Sequence, residues 1–177
     1  MEHRIILAGF GGQGVLLMGQ LLAKAAMAEG HEVSWMPSYG AETRGGTSNC
    51  HVMISDEPVG SPLVSSATEC IVMNLPALDK FESIVEPGGT LFVNTSLIER
   101  KVTRDDIKVV YVPVSDIANE MGNPRVANMV MLGAVLKSTG MLPAESVLEA
   151  LRVTLGKSKE HLIPLNKQAI ERGEQAV

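Results

Sequence analysis

The stretch Arg4-Ile5-Ile6-Leu7-Ala8-Gly9-Phe10-Gly11-Gly12-Gln13-Gly14-Val15 sets a G-x-G-x-x-G turn directly after a short apolar run and directly before an amphipathic one. This order reads as a strand, a glycine turn and a helix start. Gly9, Gly11 and Gly14 let the backbone turn sharply and pack the helix close to the strand, and Gly12 loosens the loop further. The N–H groups that open the helix favour an anion such as a phosphate or carboxylate. The turn is therefore a candidate ligand-facing turn, with a tight turn needed only for packing as the plainer reading.

Binding of NAD is a separate matter. A dinucleotide site needs an Asp or Glu at the end of the second strand for the ribose hydroxyls. The second strand, His31-Glu32-Val33-Ser34-Trp35-Met36, runs instead into Met36-Pro37-Ser38-Tyr39, with Glu32 near its beginning. This speaks against a free-standing dehydrogenase, which titration of the purified chain with both nicotinamide cofactors would test.

From that strand leaves a polar, glycine-punctuated loop, Met36-Pro37-Ser38-Tyr39-Gly40-Ala41-Glu42-Thr43-Arg44-Gly45-Gly46-Thr47-Ser48. Arg44 offers a fork of donors suited to carboxylate or phosphate, and Thr43, Thr47 and Ser48 add hydroxyls. The composition fits a binding loop, an inter-subunit contact loop or an ordinary solvated loop.

Outward from these two segments, strands and helices alternate. Val15, Met18, Gly19, Leu22, Ala25 and Ala26 recur at helical spacing, with Gly30 as the stop. Further strands are expected at 48–54, 69–74, 90–94 and 108–112, and a short helix over 76–85 that ends before Pro87-Gly88-Gly89. This predicts an α/β fold: a Rossmann-like open, mostly parallel sheet with helices on both faces and a helical C-terminal third. In that third, Asn123-Pro124 opens and Gly140 stops a helix that is apolar on nearly its whole circumference. Its burial falls to the core or to a partner subunit. Ser158 reads as the N-cap of a final amphipathic helix. The methionines read as core filler, with Met129, Met131 and Met141 as candidates for an interface.

The chain has 177 residues, 45% hydrophobic and 20% charged, with a net charge of −5. One domain over 1–177 with a full core is expected. Without a basic stripe, no nucleic acid or anionic membrane surface is expected as partner. Cys50 and Cys70 lack the close spacing of a zinc or iron–sulfur site and read as buried thiols. His51, mid-strand, reads as a satisfied histidine rather than a base. The apolar run before Gly9 is too short for a signal peptide or membrane span, so a cytoplasmic location is expected.

Taken in order, Gly9-Phe10-Gly11-Gly12-Gln13-Gly14-Val15, Ala41-Glu42-Thr43-Arg44-Gly45-Gly46-Thr47-Ser48, Gly122-Asn123-Pro124-Arg125 and Asn128-Met129-Val130-Met131-Leu132-Gly133 resemble the gamma subunit, or gamma domain, of the 2-oxoacid:ferredoxin (flavodoxin) oxidoreductases. Phe10 in the turn and the loop around Arg44 are more similar to the 2-oxoglutarate and branched-chain 2-oxoacid branches than to the pyruvate branch. The indolepyruvate branch is similar in the turn and diverges in the loop. The 2-oxoglutarate branch ranks first.

The resemblance implies a complex that decarboxylates a 2-oxoacid on thiamine diphosphate with Mg²⁺, passes electrons through iron–sulfur clusters to ferredoxin or flavodoxin, and releases an acyl-CoA. Its partners would be alpha, beta and, in complexes that have one, delta subunits. This chain shows no cysteine cluster and no G-D-G…N signature for the diphosphate. No catalytic residue, metal ligand or bound cofactor is therefore expected in it, and alone it should be folded but silent. Its implied role is to support assembly and help hold coenzyme A. The candidate contacts are the backbones of Gly11, Gly12 and Gly14 with Gln13, Thr43, Arg44 and Thr47. For Gln13 the alternative is a side chain that bonds its own turn. Asn128 either caps a loop internally or faces a partner. A stand-alone nucleotide-binding module remains the reading from another class.

Overall fold

The computed structural model describes residues 1–39 and 47–177. Six strands form one sheet: β1 (Glu2–Phe10), β2 (Glu32–Tyr39), β3 (Thr47–Ser55), β4 (Ala67–Val72), β5 (Val85–Asn94) and β6 (Lys108–Val112), in the order β2-β3-β1-β4-β5-β6. β1, β4, β5 and β6 pair in parallel, while β3 runs antiparallel to both β1 and β2. Only β3 is therefore reversed, and the sheet is mostly parallel as expected.

Side chains alternate across β1, and each face nucleates its own cluster. Ile5 and Leu7 join Cys50, Ile71, Phe92 and Val112 on one face, whereas Ile6 and Ala8 join Cys70, Val72, Leu91 and Val93 on the other. The first face is covered by α1 (Val15–Ala28), α3 (Val114–Glu120), α4 (Ala127–Thr139), α5 (Ala144–Leu155) and α6 (Ile163–Gln175), and the second by α2 (Leu75–Phe81) and connecting segments that carry Val64, Ile98 and Val102.

Several expected boundaries move. β2 continues through Pro37 to Tyr39, because it is an edge strand and its outer side needs no N–H there. The helix over 76–85 is shorter: α2 ends at Phe81, and β5 already begins at Val85. Pro87-Gly88-Gly89 is a bulge inside β5, where the register jumps from Ala67↔Val85 to Glu69↔Thr90 and Gly88 takes φ +85°. Ser158 is not a cap. It lies within a 3-10 segment, Lys157–Leu162, and α6 starts at Ile163, followed by Pro164.

The apolar helix settles inside the chain. Asn123 caps a 3-10 turn over Pro124–Val126, and every residue of α4 from Asn128 to Leu136 is buried. The helix packs against α6, α3 and α1, so of the two expected sources of its burial, the core and a partner subunit, the core supplies it. Two glycines explain how closely α4 and α6 approach. A Cβ on Gly133 would overlap the Ile170 carbonyl, and one on Gly173 would overlap the Val130 carbonyl. Met129, Met131 and Met141 are likewise buried in this core. Among the described residues, no helix is long and apolar enough to cross a membrane.

Candidate functional site

The glycine turn sits at the carboxyl end of β1, in the crevice where the chain leaves one side of the sheet for the other. Four residues reverse the backbone: the Gln13 N–H donates to the Phe10 carbonyl at 3.2 Å, and the Phe10 N–H donates to Gln13 Oε1 at 2.6 Å. The Gln13 amide also donates to the Met73 carbonyl at 3.4 Å. The alternative in which Gln13 bonds its own turn thus describes its contacts here. Gly9 is required by space, since a Cβ would come within 3.0 Å of Met73 Cβ and overlap Gln13 Oε1. Gly14 is required by conformation: it precedes α1 at φ 73°, ψ 24°. Gly11 and Gly12 are exposed.

The electrostatic consequence lies in the donors left over. No side chain caps α1, no acidic residue occupies its first turn, and no group among the described residues accepts from the backbone N–H of Gly12 or Gly14. Unsatisfied N–H groups at a helix start carry a partial positive charge.

β3 brings Thr47 and Ser48 to this turn. Thr47, exposed, pairs opposite Phe10, and Ser48 opposite Gly9. Ser48 also pairs with Tyr39 of β2 on its other side. The expectation that strand two ends beside the glycine turn is therefore corrected, because β3 is interposed. Residues 40–46, including Thr43 and Arg44, lie outside the described residues.

Across the crevice is a cleft of about 110 Å³ lined by Gly12, Gln13, Met73, Ser115, Pro124 and Arg125. Arg125 is exposed and forms no ion pair among the described residues. Beside Met73, the buried Asn74 caps α2 by accepting from the Ala77 N–H at 2.9 Å, and Asn94 donates to the Met73 carbonyl at 3.2 Å and to Ser115 Oγ at 3.1 Å. Ser115 and Arg125 were not among the candidates. Arg125's sequence signal was the Gly122-Asn123-Pro124-Arg125 segment, whose folding back onto the turn no local pattern shows, and Ser115 had none.

Other polar groups are accounted for within the fold. His51 Nδ1 accepts from the Val64 N–H at 2.9 Å, and burial, followed by the nearby Lys80 cation, holds its pKa below the ordinary value. Cys50 and Cys70 are free thiols on opposite faces of the sheet. Burial pushes Cys50 up to about 12 and raises Cys70 as well. Among the described residues, no cluster of His, Cys, Asp and Glu could hold a metal ion.

Residues 4–176 match the family described as pyruvate ferredoxin/flavodoxin oxidoreductase. The ketoisovalerate oxidoreductase subunit VorA of Methanothermobacter marburgensis is 43% identical over 97% of this chain, which spans only 36% of that protein. The 2-oxoglutarate synthase subunit KorC of Methanocaldococcus jannaschii is 36% identical over 94% of this chain and 92% of its own length. Among solved structures, the gamma subunit of a keto/oxoacid ferredoxin oxidoreductase from Geobacter sulfurreducens superposes with a TM-score of 0.86 at 30% identity, covering 99% of this chain and 97% of that one. The 2-oxoglutarate:ferredoxin oxidoreductase of Magnetococcus marinus, with 2-oxoglutarate, coenzyme A and succinyl-CoA bound, matches with a TM-score of 0.91 at 25% identity over 99% of this chain and 31% of that one.

Proposed function

From the premise that this chain belongs to the pyruvate ferredoxin/flavodoxin oxidoreductase family, we propose that it is the gamma-type component of a thiamine diphosphate-dependent 2-oxoacid:ferredoxin oxidoreductase. In this reading it supports assembly with alpha, beta and, where present, delta subunits, and it contributes to binding coenzyme A along the carboxyl edge of its sheet. Thiamine diphosphate and the clusters would sit in the partner subunits and supply the decarboxylation and electron transfer. The role of this chain is to bind and orient.

The observation that carries the reading is the uncapped start of α1 at the glycine turn, with N–H groups that have no acceptor among the described residues and the exposed Arg125 beside the same cleft. A cleft of about 110 Å³ is well below the several hundred Å³ of a typical cofactor site. It suits one phosphate or carboxylate group of a larger ligand whose remainder lies against another subunit. Gly11, Gly12, Gln13, Gly14, Thr43, Arg44 and Thr47 are the proposed contacts, and Arg125 joins them. For the 2-oxoacid, the turn and loop motifs favour 2-oxoglutarate. The higher identity to the ketoisovalerate protein supports branched-chain substrates as the second reading.

Reconstitution with the thiamine-binding partners tests this. The 2-oxoacid-dependent, CoA-dependent reduction of ferredoxin should require this chain, and assays with 2-oxoglutarate and 2-oxoisovalerate separate the two substrates. Activity in its absence with unchanged KM for CoA, or any such activity by the chain alone, would overturn the proposal.

A further inference from the structure

Asn128 is the one polar residue in the buried run Asn128–Leu136 of α4, and it is only 5% exposed. An amide in such a place is costly to bury unless it is hydrogen-bonded. Its Oδ1 accepts from the Met129 N–H at 2.9 Å, while its Nδ2 reaches across 114 residues of sequence to the Gly14 carbonyl at 3.4 Å. That carbonyl also accepts the Met18 N–H at 3.0 Å, the first bond of α1. The amide and Gly14 are in direct steric contact too, because a Cβ on Gly14 would overlap Nδ2. Gly14 is thus fixed by its left-handed conformation on one side and by Asn128 on the other.

The rest of the turn is held from within by Gln13 Oε1 on the Phe10 N–H. α4 in turn has little freedom to shift, since Gly133 and Gly173 bring its backbone against that of α6. A rigid path therefore runs from α6 through α4 to the root of α1.

We propose that Asn128 is a positioning residue that fixes the direction of the α1 N-terminal donors by clamping Gly14, without itself touching a ligand. For the ligand it would serve, this rests on the reading of the carboxyl edge as a coenzyme A site. Holding the donors in place before binding lowers the ordering cost of a phosphate-bearing ligand.

Asn128→Asp keeps the acceptor for Met129 and removes the donor to Gly14, and Asn128→Ala removes both. Amide hydrogen exchange in the free chain is the first readout. Gln13 and Met18, whose N–H groups are bonded within the turn and to Gly14, should exchange at least about fivefold faster in both variants, with Leu132 in α4 unchanged. Exchange that is unaltered at Gln13 and Met18, or accelerated uniformly through α4, overturns the inference. The second readout is the assembled complex, where the KM for CoA should rise several-fold with kcat largely kept. Faster exchange at Gln13 and Met18 with an unchanged KM upholds the clamp and overturns the coenzyme A reading of the edge.

Discussion

The two ends of the sheet treat their polar groups in opposite ways. At the amino end, Glu69 lies between His3 Nδ1, at 2.7 Å, and the Thr68 hydroxyl. Arg4 bonds Glu86 at 2.6 Å and also the Ser66 carbonyl. Arg104 closes the neighbouring corner, donating to the Glu82 carbonyl at 2.9 Å, to the Val85 carbonyl at 2.6 Å and to Asp106. Each of these side chains has at least one partner inside the chain, with Arg4 Nε paired to Glu2 only as an ion pair at 2.9 Å and not by a hydrogen bond. At the carboxyl end, the N–H groups of Gly12 and Gly14 have no acceptor among the described residues and the start of α1 is uncapped, beside an exposed arginine. A buried polar network specifies and holds a fold, whereas uncompensated donors at a crevice are available to something outside it. On the proposed function, the difference separates stability from ligand binding along a single strand, β1.

Substitutions can break this comparison in order of expected size. Gly173→Ala, in the helix layer remote from both ends, should cost at least about 3 kcal/mol because the added Cβ meets backbone rather than a movable side chain. Chemical denaturation would measure it, and a loss below 1 kcal/mol would show that α6 can slide. Glu69→Ala at the closed end should lower stability by about 1–3 kcal/mol by stranding His3 and Thr68. The KM for CoA in the complex should stay as it was.

At the open end the signature should reverse. Arg44→Ala should raise the KM for CoA about tenfold or more, as expected for about 1.5–3 kcal/mol from one charge-assisted contact, with the thermal midpoint unchanged. If Arg44 holds a partner subunit instead, gel filtration will show weaker assembly and all activities will fall together. A variant normal in both respects removes Arg44 from the site.

The smallest effect concerns pH. The pKa of His51 is held below 6.5 in the folded chain, so the unfolded chain takes up its proton first as pH falls. Its contribution is intact above about pH 6.5 and is lost progressively below it. His51→Gln should make the thermal midpoint slightly less sensitive between pH 7.5 and 5. An unchanged slope would show that other groups set the acid limb.

Much of this protein was legible in its sequence because the deciding signals are local. The near-continuous apolar runs marked the strands, and the G-x-G-x-x-G spacing marked the turn. Asn123-Pro124 and Gly140 bracketed a helical segment to within a few residues. Those signals depend on neighbours only a few positions away, and dihedral preference and side-chain spacing act at that range.

What the sequence left open depends on partners far along the chain. The apolar helix could have met a second protein, and only the tertiary structure shows α6 against its backbone, with Gly133 and Gly173 making room. The interposition of β3 between β1 and β2, which moves the end of strand two away from the glycine turn, is a choice of pairing that apolar patterning leaves undetermined. Asn128 looked like a helix residue of ambiguous purpose until the fold set its amide on Gly14. Local patterns fix which elements form, because their energies are local; which elements touch is decided by the burial of whole faces at once, and the proposed site lies where those long-range contacts converge.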